Sequence, residues 1–124
     1  MRDYLTIHNH SGLGEIGISR YAMAAIARRA AEGVAGTKVV PHRAKKGLLR
    51  GFGRSEDRFS ITPEGVKVIF SKEGKALIRM EVTLPHGVEV AKTCFSIQEA
   101  VANNLALMCD MVPFDVQVKV AHII

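Results

Sequence analysis

Histidine, cysteine and serine are the side chains of this sequence with the most to offer a metal ion or a nucleophilic reaction. His8-Asn9-His10 supplies two imidazoles one residue apart, half of a metal or nuclease site. A closed zinc site takes four ligands and a catalytic one three, and no cysteine or carboxylate cluster accompanies the pair. His42, His86 and His122 stand apart from one another. Cys94 and Cys109 fall in one predicted helix, where fifteen residues separate them by about 22 Å, far beyond disulfide reach. Neither has a CxxC partner. Both lie on or beside an apolar stripe, so they read as inert core thiols of a reducing compartment. The six serines, Ser11, Ser19, Ser55, Ser60, Ser71 and Ser96, include none in a nucleophile-elbow pattern. No set of residues meets the geometric requirements of an active site. The expectation is a chain with no catalytic residue, no cofactor and no metal.

Two glycine-rich stretches suggest phosphate contact. Gly14-Glu15-Ile16-Gly17 has the form of a backbone-clamping Gly-X-X-Gly loop, but that loop joins two helices. The residues upstream are too few and too polar for a helix, so the start of a strand is the better reading. Gly47-Leu48-Leu49-Arg50-Gly51-Phe52-Gly53-Arg54 lacks both the Gly-Lys-Ser/Thr ending of a phosphate loop and a helix pattern behind it.

Charge is more telling. The chain has a net charge of +5, and residues 41–58 alone hold six basic side chains against two acidic ones. These six, Arg43, Lys45, Lys46, Arg50, Arg54 and Arg58, are the candidate partner-binding residues. A basic loop of this kind suits an anionic lipid, a nucleic acid or an acidic protein surface, and equally serves as a solvated loop. Leu48, Leu49 and Phe52 either dock on the domain or insert into a partner. Phe52 is the one aromatic among the basic residues, which is poor provision for stacking nucleic-acid bases.

At 124 residues and 48% hydrophobic composition, the chain suits one domain able to bury a core without staples. Ser19 is a good N-cap for an alanine-rich helix over 21–32, with Ala22, Ile26, Ala30 and Val34 on one face and Gly33 and Gly36 as stop signals. Tyr4, Leu5 and Ile7 suggest a short strand, as do Ile16 and Ile18. Residues 37–40 form a short β-branched run ended by Pro41. The alternation in 66–71 and 75–84 around Lys72-Glu73-Gly74 predicts a hairpin with Ala76, Ile78, Met80, Val82 and Leu84 on its buried face. A second helix over 89–111 carries the stripe Val90, Cys94, Ile97, Val101, Leu105, Met108 and Val112. Pro113 stops it. A last strand then places Phe114, Val116, Val118, Val120 and His122 on one face. These elements predict an α+β fold with two helices on one face of a three- to four-stranded, mostly antiparallel sheet. Residues 1–13 read as a flexible segment and 14–124 as a single domain with its basic loop at 41–58. Residues 1–10 lack the apolar stretch of a signal peptide, and no run approaches the ~20 apolar residues of a membrane span.

Several blocks together resemble the bacterial alkaline shock protein family of general envelope-stress proteins. They are Gly14-Glu15-Ile16-Gly17-Ile18-Ser19, Ala24-Ala25-Ile26-Ala27, the Ala-Ala-Glu-Gly-Val-Ala-Gly run at 30–36, Gly65-Val66-Lys67-Val68, Gly87 with Gln98 eleven residues later, and Val116-Gln117-Val118-Lys119-Val120. The chain departs from the family pattern at Cys109-Asp110-Met111, where members often carry Met-Thr-Gly, and at His86. The resemblance implies a small α/β domain in the cytoplasm, without catalysis, that self-assembles; some relatives are tethered near the membrane by a small integral membrane partner, an arrangement compatible with this chain. The expected function is therefore a non-enzymatic scaffold of the envelope stress response, a homo-oligomer acting with protein partners. The alternative is a nucleic-acid-binding module that uses the basic loop.

Overall fold

A computed structural model describes residues 4–7, 12–41, 65–71, 75–110, 113 and 115–124. In chain order the elements are β1 (Tyr4–Ile7), β2 (Ile16–Ser19), α1 (Arg20–Glu32), β3 (Lys38–Val39), β4 (Val66–Phe70), β5 (Ala76–Leu84), α2 (Val90–Cys109) and β6 (Asp115–Ile123). The fold is α+β, with two helices among the described residues and a four-stranded, mostly antiparallel sheet, as the sequence pattern predicts. Within residues 1–13, β1 pairs antiparallel with β2, from Tyr4 opposite Ser19 to Ile7 opposite Ile16.

The long strand β5 organises the main sheet. Along one edge it pairs antiparallel with β4, Val66 opposite Met80 through Phe70 opposite Ala76. Farther along the same edge it pairs with β3, Lys38 opposite Thr83 and Val39 opposite Val82. The Val40 amide donates to the Glu81 carbonyl at 2.9 Å, which fills the remaining position between them. Residues 38–40 and 66–70 therefore occupy one uninterrupted row opposite 83–76, as though they were a single strand. The chain leaves this row after Val40 and rejoins it at Val66. On its other edge β5 pairs parallel with β6. That parallel pair needs a crossover connection, and α2 provides it.

Alternation puts Ala76, Ile78, Met80, Val82 and Leu84 on the buried face of β5, joined by Val66, Val68 and Val116. Both helices cover this face. Ser19 caps α1 as its type predicts, its hydroxyl accepting from the Ala22 amide at 3.1 Å. The helix turns Met23, Ala24, Ala27 and Ala31 inward, whereas Ala22 is exposed and Ile26, Ala30 and Val34 are only half-buried. Two apolar faces compete on an alanine-rich helix. The one carrying Met23 and the smallest side chains lies closest to the sheet. Glu32 ties the end of α1 to the sheet by accepting from the Val39 amide at 3.1 Å.

In α2 the buried row is Ile97, Val101, Leu105 and Cys109. The predicted stripe drifts from this row at its ends: Val90 and Met108 are exposed and Cys94 is half-buried, and Val112 lies outside the described residues. At the C-terminal end Cys109 replaces Met108 because spacing by four from Leu105 keeps it over the sheet. The helix stops at Asp110, whose φ of 53° puts it in the left-handed region. The Gln98 side-chain amide donates to the Val116 carbonyl at 2.9 Å and fastens α2 to β6.

One predicted face needs correction. Ile78, Met80 and Val82 lie opposite Val116, Val118 and Val120, but the register then slips so that Thr83 meets His122 and Leu84 meets Ile123. The bulge turns His122 to the helix-free face rather than the face of Val116, Val118 and Val120. Phe114 lies outside the described residues.

Candidate functional site

Arg43, Lys45, Lys46, Arg50, Arg54 and Arg58 all lie outside the described residues, as do His8, His10, His42 and the glycines of 47–53. What is described is where their segment joins the sheet. A Cβ built on Gly65 would overlap the Val40 carbonyl oxygen and come within 3.0 Å of the Pro41 Cα. Val40 and Gly65, the described residues on either side of that segment, are thus in close contact at the edge of the sheet.

From that edge the helix-free face of the sheet extends across β5 to β6. Its rows run Lys67, Arg79, Gln117 and Ile69, Leu77, Asp115, with Glu81 opposite Lys119 and Lys38, Thr83, His122 at the far end. Arg79 Nε donates to Gln117 Oε1 at 2.7 Å, and Gln117 Nε2 donates to Asp115 Oδ2 at 3.0 Å. This chain of bonds holds the Arg79 side chain along the sheet, across the β5–β6 pair. Lys38, Glu81, Lys119 and His122 are exposed, and Ile69 and Leu77 are half-buried.

Charge on the molecule follows this geometry. The strand residues of the open face include four basic side chains, Lys38, Lys67, Arg79 and Lys119, against Glu81 and Asp115. Residues 42–64 hold six basic side chains against Glu56, Asp57 and Glu64. Elsewhere seven basic residues balance seven acidic ones. By residue count, the whole net charge of +5 therefore belongs to the strand residues of the open sheet face and to residues 42–64.

The helical side of the molecule carries an apolar groove. Between the outer flanks of α1 and α2 runs a groove of about 570 Å³, lined by Ile26, Ala30, Val34, Ala100 and Met108, with Arg29 and Asn104 as its polar members. Met108 is 64% exposed and its neighbour Leu107 85%, so the α2 end of the groove presents large apolar side chains outward. The Ile26, Ala30 and Val34 face read from the sequence is the α1 wall of this groove. Its pairing with Ala100 and Met108 had no signal in the sequence, because it depends on how the two helices lie together.

Burial pushes both thiols up, Cys94 half-buried on α2 and Cys109 buried near its end. A raised thiol is less ionised and a poorer nucleophile, which agrees with a packing role. Among the described residues no group of histidine, cysteine and carboxylate side chains is placed to hold a metal ion. Among those residues no helix is long and apolar enough to cross a membrane.

Comparison with curated proteins and with solved structures gave no match. A family comparison did, and the blocks it spans now have structural counterparts: Ser19 caps α1, Gly65 closes the row of β3 and β4, and Gln98 bonds to Val116. Matching over residues 8–124, the chain belongs to the alkaline shock protein 23 family, described as having a cell envelope-related function.

Proposed function

We propose that this chain is a non-enzymatic assembly or scaffold protein of the cell-envelope stress response. It works in the cytoplasm near the membrane, through self-association and protein partners. The observation that supports this reading best is the apolar groove between α1 and α2, with Met108 and Leu107 exposed at its end. Large apolar side chains grouped on one surface favour burial against a protein. The small residues Ala30 and Ala100 leave room for an incoming helix or a second copy to approach closely. The family's envelope-related function gives the setting.

Light scattering across concentration tests the reading, combined with affinity capture from the native host. The wild-type mass should rise with concentration. Ala30→Glu or Met108→Glu should lower association while leaving the helical signal intact. A chain that stays monomeric at every concentration and retains no host protein overturns the proposal.

A further inference from the structure

We propose that the helix-free face of the sheet is a docking surface for an anionic lipid bilayer. The argument begins with charge. Every unit of the +5 net charge belongs to this face or to residues 42–64, and the rest of the chain is balanced. Among the described residues this face carries four basic side chains against Glu81 and Asp115, whereas the two helices with their flanking Glu89 and Asp110 carry four basic side chains against four acidic ones.

The shape of the face favours a surface over a strand or a groove. β5 and β6 are nine residues each, so they present a broad platform about 30 Å long. No phenylalanine, tyrosine or tryptophan stands on this face among the described residues, where Lys38, Lys67, Arg79, Lys119 and His122 are interspersed with Glu81, Asp115 and short polar and aliphatic groups. Single-stranded nucleic acid gains much of its affinity from aromatic stacking, and that contribution is missing here. Lipid headgroups demand only positive potential over an area. Arg79, held along the sheet by Gln117, and the exposed Lys38 and Lys119 supply it. The choice of a bilayer over other polyanions rests on the envelope-related reading of the family. The arrangement leaves the helical groove free for protein contacts while the sheet faces lipid.

The experiment is vesicle co-sedimentation of the full chain, with light scattering on the same preparations. The vesicles are phosphatidylcholine alone and phosphatidylcholine containing about 30% phosphatidylglycerol, at low and at physiological salt. Wild type should bind only the anionic vesicles, more weakly as salt rises. Lys38→Glu/Lys119→Glu should reduce partitioning at least about tenfold, since near the surface each basic residue counts for several-fold. Ala91→Glu/Lys92→Glu/Asn103→Glu makes the same change in net charge on the exposed surface of α2, outside the groove, and should stay within about threefold of wild type because the membrane field decays over a Debye length. Circular dichroism confirms that both variants fold, and Lys38→Gln/Lys119→Gln offers a milder pair. Equal losses in the two charge-matched variants overturn the proposal, as does failure of wild type to bind anionic vesicles. Tighter binding to RNA or polyglutamate than to those vesicles at the same salt also overturns it, in favour of a nucleic acid or an acidic polypeptide. Light scattering separates the two readings: loss of lipid binding with association retained sinks only the docking face, and a monomer that still binds lipid sinks only the self-association.

Discussion

Gly65 sits directly against the carbonyl of Val40, closer than any side chain would allow, although twenty-four residues separate them in the chain. Its φ of 86° lies in the left-handed region that favours glycine. The contact makes one edge row of β3 and β4. It predicts that Gly65→Ala loses about 2–4 kcal/mol of stability, from backbone strain and from overlap with a backbone atom that cannot move without breaking the Val40–Glu81 bond. Urea unfolding of the two proteins measures it, and a loss below about 0.5 kcal/mol contradicts the close approach.

The same row makes a second prediction. Joining Val40 directly to Val66, with 41–65 removed, should preserve the pairing with β5, because Val40 and Val66 already face the successive residues Glu81 and Met80. Closing a loop of this length costs about 3 kcal/mol of chain entropy, so the shortened protein should fold with stability equal to or above that of wild type. Thermal unfolding checks this. A chain that no longer unfolds cooperatively would mean that 41–65 contributes to the core.

The inward face of α1 can be tested by two alanines of equal propensity. Ala27 is buried against the sheet and Ala22 is exposed. Ala27→Leu should destabilise by about 1–3 kcal/mol through overpacking, and Ala22→Leu should change stability by less than about 0.5 kcal/mol. The reverse order in a denaturant titration would place the helix in a different rotation.

The thiols predict a pH dependence. Burial raises both. Below the ordinary thiol range the folded and unfolded chains both hold their thiol protons, and no difference arises. As pH rises through that range the unfolded chain releases its protons first, so stability falls with increasing pH. Denaturation midpoints at about pH 7.5 and 9.5 should show this decline, with a smaller slope in Cys94→Ala. Alkylation at a fixed pH should be slower at Cys94 than at free cysteine, and at Cys109 should await unfolding.

Helix and strand identities were legible in the sequence because they depend on period and caps. Ser19 before an alanine run, the twofold alternation of 76–84 and the fourfold spacing of Ile97, Val101 and Leu105 each specify an element from local residues. The face of a helix was less legible where two apolar stripes compete. Hence Ala27 displaced Ile26 from the centre of the core, and Cys109 displaced Met108.

The sequence by itself determined the helices and strands, the buried face of β5, the hairpin, the concentration of basic residues after Pro41 and the resemblance to the alkaline shock family. Those properties follow from residue type and short-range spacing. Tertiary structure alone decided that β6 runs parallel to β5, that a bulge turns His122 outward, that Val40 and Gly65 meet, and that Arg79, Gln117 and Asp115 form one row. Each of these is a pairing between distant segments, fixed by sheet register and helix crossover. No local periodicity records which edge a strand will take.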